Sequence, residues 1–199
     1  HFSFQCHGLS PSAGRSGASW GLAFAWPVGL VGWGLWSWAF GALGSLPSVL
    51  ALTRQNLPQL RTAYNADNLC AAGAYEIMGV EGDNVDVSIF ATGSEVAIAV
   101  EAARLLNRQG KPARVVSVPC FELFLSLPAE RRHPILGGAE VNVAVEAGIR
   151  QGWDEIIGAN GVFVGMSGFG ASAPHKDLYS HFGITPEAVA AAALSKFRP

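Results

Sequence analysis

The feature that most constrains the fold is a series of continuous apolar runs in the later part of the chain, each separated from the next by a connecting segment. The runs are VDVSIFAT (85–92), ARVVSVP (113–119), VNVAVEAG (141–148) and GVFVGMSGFG (161–170). Strands without polar alternation are typical of sheets buried on both faces. Strands that alternate with helices are typical of a parallel sheet. We therefore predict an α/β fold with a mostly parallel sheet flanked by helices.

Helical patterns occupy several of the connections. The first helix has an apolar stripe and ends at Gly110; the stripe consists of Val96, Val100, Ala103 and Leu106. A short helix is predicted over 151–158. The last helix lies in GITPEAVAAAALSKF, with Thr185 as its N-cap and Pro186 in the first helical position. The segment FELFLSLPAERRHPIL (121–136) is predicted to be a loop with one helical turn.

The amino-terminal part of the chain has a different composition. Residues 1–53 contain one formally charged side chain, Arg15, and five of the six tryptophans. The uncharged run 20–46 is long enough to span a bilayer. Frequent glycine, the presence of Pro27 and the lack of flanking Lys or Arg disfavour a transmembrane helix, although a membrane-anchored protein remains an alternative. We interpret 1–46 as an atypical Gly/Trp-rich segment, produced by a shifted reading frame or left from an upstream domain.

Net charge and cysteine content exclude several classes of protein. The chain of 199 residues has a net charge of −2 and an isoelectric point near 6.2, so it lacks the basic field typical of nucleic-acid binding. Cys6, Cys70 and Cys120 are odd in number and widely spaced. This spacing disfavours both a disulfide framework and a zinc site. We expect a reducing, cytoplasmic location and no nucleic-acid partner.

The junction ATGSEV places Gly93 and Ser94 between a strand and a helix. Free N–H groups at a helix start attract anions, so Gly93 and Ser94 are candidate anion-binding residues. One glycine is weak support for this role, because neither a dinucleotide-binding nor a Walker motif is present. We favour the alternative in which Ser94 caps its own helix.

For the other residues with reactive side chains, we favour a structural role over a catalytic or metal-binding one. His175 and His181 are six residues apart, a spacing that does not place both on one helix face, so no metal pair is expected. Glu146 follows a strand end, where it can act as a general base or accept structural hydrogen bonds, and we favour the structural role. Cys120 is predicted to be a buried thiol. We therefore assign no catalytic, metal-binding or cofactor-binding residue.

Arg54 lies at the carboxyl end of PSVLALTRQ (47–55), which is predicted to be a buried strand. A guanidinium held at a strand end can bind a phosphate or carboxylate in a bidentate manner. An ion pair with another part of the protein is an equally good interpretation of the sequence alone.

Several segments together resemble the carboxyl-terminal portion of transketolase. They are PSVLALTRQNLPQL, ATGSEV, VEAG, GMSGFGASAP and HFGIT, in that order, and the resemblance covers residues 47–199. It implies that 47–72 is the last strand of the pyrimidine-binding domain and a linker, and that 73–199 is the C-terminal α/β domain, with a short strand near 73–78. Other thiamine-diphosphate enzymes, such as deoxyxylulose phosphate synthase, share only the general plan and remain an alternative.

The resemblance also implies a function. Transketolases are homodimeric transferases that move a two-carbon ketol unit between sugar phosphates, using thiamine diphosphate and a divalent metal, magnesium or calcium. By this resemblance Arg54 binds the sugar-phosphate group. The family's cofactor-binding and catalytic motifs precede this segment, so the chain is expected to support the fold and the dimer, to bind no cofactor and to be inactive alone. A further alternative is a stand-alone regulatory module that binds an anion through the loops 92–95 and 167–173.

Overall fold

The computed structural model describes residues 5–7, 49–51, 53, 55–82 and 84–197. The predictions for 1–46, including the candidate span 20–46, therefore lie almost entirely outside the described residues. Within the described part of the chain, no helix has the length and apolar character needed to cross a membrane.

Five strands form a central sheet in the order β3-β5-β4-β6-β7. The strands found among the described residues are Gln5–His7 (β1), Val49–Ala51 (β2), Tyr75–Met78 (β3), Val87–Ala91 (β4), Ala113–Ser117 (β5), Val141–Val145 (β6) and Val162–Val164 (β7). β4 pairs in parallel with β5 and with β6, and β6 pairs in parallel with β7. Within this five-stranded sheet, β3 alone is antiparallel to its neighbour, β5. The predicted mostly parallel sheet is confirmed, with one antiparallel edge strand.

The strand predicted at 47–55 is described in part. The described residues there include β2, which pairs antiparallel with β1 in a separate two-stranded sheet. Ala51 is exposed. The expectation of a buried strand is wrong at this residue, because β2 lies outside the central sheet that is covered by helices.

Helices cover the sheet on both faces. They are Glu95–Arg108 (α1), Phe121–Ser126 (α2), Ala129–Leu136 (α3), Asp154–Ile157 (α4), His175–His181 (α5) and Pro186–Leu194 (α6), with a 3-10 turn at Leu69–Ala72. On one face, α1 and α6 pack on strand residues that include Val87 and Ile89. On the other face, α2 and α4 pack with Trp153 around Phe90. Because successive strand residues point to opposite faces, the apolar runs supply both cores.

The ends of two helices agree with the sequence-based prediction. After α1, the N–H of Lys111 bonds to the carbonyl of Leu106 and the N–H of Gly110 bonds to that of Asn107, a Schellman arrangement. At the start of α6, the Thr185 hydroxyl accepts a hydrogen bond of 3.2 Å from the N–H of Ala188.

The segment 121–136 is a correction to the sequence analysis, because it forms two helices, α2 and α3, and not a loop with one turn. Pro134 lies inside α3, where a proline normally disfavours a helix. Phe124 is fully buried, and Ile135 and Leu136 pack against the same core. Burial of these side chains outweighs the local preference of the sequence.

Candidate functional site

Several polar side chains that are hydrogen-bonded to one another lie at the carboxyl ends of β4 and β6. This is the edge of an open α/β sheet at which ligands usually bind. The chain that follows β4 provides Thr92, Ser94 and Glu95, and the chain that follows β6 provides Glu146. Gly93 and Ser94, predicted from the sequence as candidate anion-binding residues, lie in this turn.

Ser94 does not cap α1, so the favoured interpretation of this residue is wrong. Its backbone is helical, with φ −67° and ψ −26°, and its side chain makes no capping hydrogen bond. An N-cap residue needs an extended backbone to turn its hydroxyl toward the free N–H groups. The Ser94 hydroxyl instead donates to Glu95 Oε1 at 3.0 Å.

Glu95 is a buried carboxyl group with two hydroxyl donors. It is 5% exposed and accepts hydrogen bonds from Ser94 and from the hydroxyl of Tyr179, which lies on α5. Burial raises the pKa of Glu95 above its ordinary value of 4.5, and the hydrogen bonds from Tyr179 and Ser94 oppose that rise. The site therefore disfavours the charged form of Glu95 relative to a glutamate in water.

Tyr179, on α5, completes this cluster. Burial, followed by the neighbouring Glu95 carboxylate, raises the pKa of Tyr179 above 10.0. Its hydroxyl lies 3.1 Å from Ser94 Oγ. A phenol in this environment stays protonated and acts as a donor to Glu95.

Glu146 has the structural role that the sequence analysis favoured. Its Oε2 accepts a hydrogen bond of 2.5 Å from the indole N–H of Trp153, and its Oε1 accepts one of 3.2 Å from the Thr92 hydroxyl. Trp153 is fully buried, so its N–H needs a partner. Glu146 thus links Trp153, in the core that α4 covers, to Thr92, in the turn that follows β4.

The anion-binding role of Gly93 and Ser94 stays a prediction. The carboxyl group of Glu95 directly follows this turn and already takes the Ser94 hydroxyl. An anion at the same turn would approach a carboxylate, which opposes binding.

The remaining candidates take no part in the hydrogen bonds given above for this edge cluster or lie outside the described residues. His175 and His181 are exposed, and no group of three or more metal-ligating side chains occurs among residues that the structure describes. Cys120 is buried, with its Sγ 3.6 Å from Glu122 Oε2. Arg54 lies outside the described residues. The described side chains therefore do not fit a group held through a divalent metal.

Sequence reasoning missed the central residues of this cluster. Neither Glu95 nor Tyr179 was selected by name as a candidate residue. Glu95 and Tyr179 are 84 residues apart, so no local pattern links them. A glutamate in an otherwise apolar helix start was the one available signal.

Comparison with known proteins gives consistent results. The sequence model described as the Transketolase-like TK C-terminal domain matches residues 73–185. The transketolase of Rhodobacter capsulatus is 54% identical over 151 residues, which cover 73% of this chain and 22% of that protein. The chain spans about a fifth of the length of the curated relatives it matches.

Solved structures that resemble this chain are also transketolases. A transketolase from Leishmania mexicana superposes with a TM-score of 0.57 and 42% identity, covering 62% of this chain and 18% of that one. A transketolase from Pichia stipitis, in complex with sedoheptulose-7-phosphate, superposes with a TM-score of 0.64 and 35% identity, covering 73% and 20%.

Proposed function

The chain belongs to the family of transketolase-like C-terminal domains, and from this premise we propose that it is the carboxyl-terminal part of a transferase that moves a two-carbon ketol unit between sugar phosphates. Thiamine diphosphate and a divalent metal serve this reaction. We propose that protein outside this segment supplies the binding site for both. The pentose phosphate pathway or the Calvin cycle is the metabolic setting that we propose.

The observation that carries this proposal is the hydrogen bonding among the polar side chains at the carboxyl edge of the sheet. The polar groups there are engaged with each other: Glu95 with Ser94 and Tyr179, and Glu146 with Thr92 and Trp153. Such a closed set of contacts supports a role as a scaffold, because a catalytic group has to remain available to a substrate. We therefore propose that the domain supports the fold and a homodimer and is inactive alone.

The substrate contact that we propose for this chain is Arg54. The Pichia stipitis relative was solved in complex with sedoheptulose-7-phosphate, which supports a sugar phosphate as substrate here. A guanidinium is suited to a phosphate because its N–H groups form two parallel hydrogen bonds to the oxygens. The scarce, widely spaced cysteines support a cytoplasmic location.

A chimeric enzyme tests this proposal. Residues 47–199 replace the matching carboxyl-terminal segment of the Rhodobacter capsulatus transketolase, and ketol transfer from a ketose phosphate to an aldose phosphate is measured. We expect the chimera to be active and the 199-residue chain alone to be inactive, without binding thiamine diphosphate in calorimetry. Turnover by the isolated chain, or an inactive chimera that is folded and dimeric, would contradict the proposal.

A further inference from the structure

Asn160 is the one asparagine of the 199-residue chain that is followed by glycine, and it is exposed. The side-chain amide carbon of an asparagine can be attacked by the backbone nitrogen of the next residue. A side chain on that next residue hinders the attack, whereas glycine has none and lets the backbone rotate freely. Asn160 is therefore the asparagine of this chain that is best suited to lose its side-chain amide.

Packing against α4 explains why glycine stands at position 161. A Cβ there would lie 2.5 Å from the carbonyl oxygen of Ile157, the last residue of α4, and 2.6 Å from its Cβ. Carbon atoms in good contact are about 3.5–4.0 Å apart. Ile157 is buried in the core that α4 covers, so it has little room to move aside. The fold thus requires glycine directly after Asn160.

A β-turn around Asn160 holds the attacking nitrogen in a hydrogen bond. The N–H of Gly161 donates to the carbonyl of Gly158 at 3.1 Å, the bond that closes such a turn. Arg150 bridges the same two residues, since Nη1 donates to the Gly161 carbonyl at 3.1 Å and Nη2 to the Gly158 carbonyl at 3.5 Å. Asp154 Oδ1 accepts from Arg150 Nε at 3.0 Å and from Nη2 at 2.6 Å. The guanidinium is therefore held in place and holds the turn closed.

The closed turn slows the attack. The nitrogen of Gly161 has to give up its proton and reach Cγ of Asn160, so its hydrogen bond to Gly158 must open first. Local opening of this kind has its own free energy, which can be much smaller than that of global unfolding. Contacts that stabilise the closed turn lower the population of the open turn, and the rate of attack falls with it.

We propose that Asn160 is a site of spontaneous deamidation and that Arg150 sets the rate by holding the turn closed. The nitrogen of Gly161 forms a bond to Asn160 Cγ, and the side-chain nitrogen leaves as ammonia with the proton that Gly161 gives up. The remaining cyclic imide is opened by water at either carbonyl, which yields aspartate or isoaspartate. One ammonia is released and one water is consumed, and no oxidant or reductant takes part.

The products change the surroundings of the turn. Both add a negative charge to the wall of a cavity of about 260 Å³ that Asn160 lines together with Glu140 and Lys196. Isoaspartate also routes the main chain of residue 160 through its Cβ, shortly before the edge strand β7. The altered backbone does not fit the β-turn, so the modification weakens this edge of the sheet. The inference does not depend on the proposed function.

Peptide mass spectrometry of the 199-residue chain, incubated at neutral pH, tests the site. The measured quantity is the mass increase that results when a carboxylate replaces the amide in the peptide that contains Asn160. We expect slow deamidation in the folded chain and faster deamidation in guanidinium chloride, where the turn is lost. Equal rates in the two states would overturn the protection by the turn. In the unfolded chain, a rate at Asn160 no higher than at Asn65, which precedes alanine, would overturn the site itself.

Arg150→Ala tests the role of the guanidinium in the folded chain. We expect Asn160 to deamidate about fivefold faster, the factor that one net hydrogen bond is worth. Arg104→Ala, which removes a half-exposed guanidinium from an ion pair on α1, should leave the rate unchanged. Asn107, whose Oδ1 accepts from the N–H of Ala113 at 2.7 Å, reports on global unfolding in the same sample and should keep its rate. An unchanged rate at Asn160, or an equal rise at Asn107, would overturn the inference.

Arg150→Lys is a second variant that keeps the charge. An ammonium cannot bridge the two carbonyls as the planar guanidinium does. We expect a deamidation rate between those of the parent protein and Arg150→Ala. A rate equal to that of the parent would show that the bridge does not hold the turn, and would overturn the role of Arg150.

Discussion

Arg114 and Glu95 are buried ionisable residues at opposite ends of the central strands, and the structure accommodates them in different ways. Arg114, near the start of β5, is 7% exposed and donates to Ser88 Oγ and to the Ile135 carbonyl, both at 2.8 Å. A guanidinium stays protonated in proteins, so its N–H groups need acceptors. Glu95, beyond the end of β4, is able to take up a proton, and burial raises its pKa.

We call the end of the sheet near Arg114 the structural end and the end near Glu95 the attachment end. Arg114 joins the sheet to the end of α3, since it bonds to the carbonyl groups of Pro134 and Ile135. Glu95 and Ser94 hold the hydroxyl of Tyr179 and so attach α5 to the start of α1. We expect changes at the Arg114 end to alter mainly stability, and changes at the Glu95 end to alter the pH dependence of stability.

The largest effect is expected for Arg114→Ala. Hydrogen bonds to a charged group contribute about 1.5–3 kcal/mol each, so losing two good ones should lower the free energy of unfolding by about 4 kcal/mol. Urea unfolding of the chain measures this. Arg104→Ala is the control: its ion pair with Glu101 is about half exposed on both sides and should contribute less than about 0.5 kcal/mol. Similar losses in the two variants would remove the distinction between the two ends of the sheet.

A second test of the Arg114 end is Gly137→Ala. Gly137 has φ 69° and ψ −168°, a region that only glycine adopts readily, and an added Cβ would lie 2.2 Å from Arg114 Nη2. We expect a loss of about 3 kcal/mol in urea unfolding. Gly110→Ala is the matched control, because Gly110 also has a positive φ, 74°, but has nothing within 4 Å of the added Cβ. It should cost about 1 kcal/mol. Equal costs would mean that the Arg114 side chain moves aside freely.

Trp153→Phe tests the attachment end. The variant removes the donor to Glu146 and part of a fully buried ring, and we expect a loss of about 2 kcal/mol. Phe124→Leu removes aromatic volume from the same core cluster but no side-chain hydrogen bond, and should cost about 1 kcal/mol. If the two variants lost the same stability by thermal and urea unfolding, the Glu146 contact would contribute nothing.

The smallest effect, and the one most specific to the attachment end, is the pH dependence of Glu95→Gln. The folded-state pKa of Glu95 lies above its ordinary value of 4.5, so its contribution to stability is fully present below that value and is lost as pH rises through the folded pKa. Glutamine does not titrate. We therefore expect Glu95→Gln to gain stability relative to the parent protein as the pH rises from the ordinary value of 4.5 through the raised, folded-state pKa of Glu95.

Urea unfolding at several pH values measures this difference, with Glu101→Gln as a control for removing one surface carboxylate. A difference between Glu95→Gln and the parent that stays constant with pH, or that moves in the opposite direction, would show that burial does not govern this carboxyl group.

Much of the fold could be predicted because the relevant forces act over a few residues. The apolar runs of β4, β5 and β6 have to be buried on both faces, which requires helices on both sides of the sheet. The stripe of α1, its end at Gly110 and the Thr185 cap of α6 follow from spacings of three to five residues. The helices at 121–136 were missed because the local signal, Pro134, opposed them.

Of the polar cluster at the carboxyl edge, the sequence determined the residue types and little of their arrangement. Ser94 and Glu95 are adjacent in the chain, yet their roles depend on Tyr179, which α5 brings against them from 84 residues away. Only the packing of α5 on the domain decided that Ser94 serves a carboxyl group and not a helix end. The physical reason is that helix and strand patterns follow from local geometry, whereas the partner of a buried polar group is chosen by whichever distant side chain the completed core places within hydrogen-bond reach.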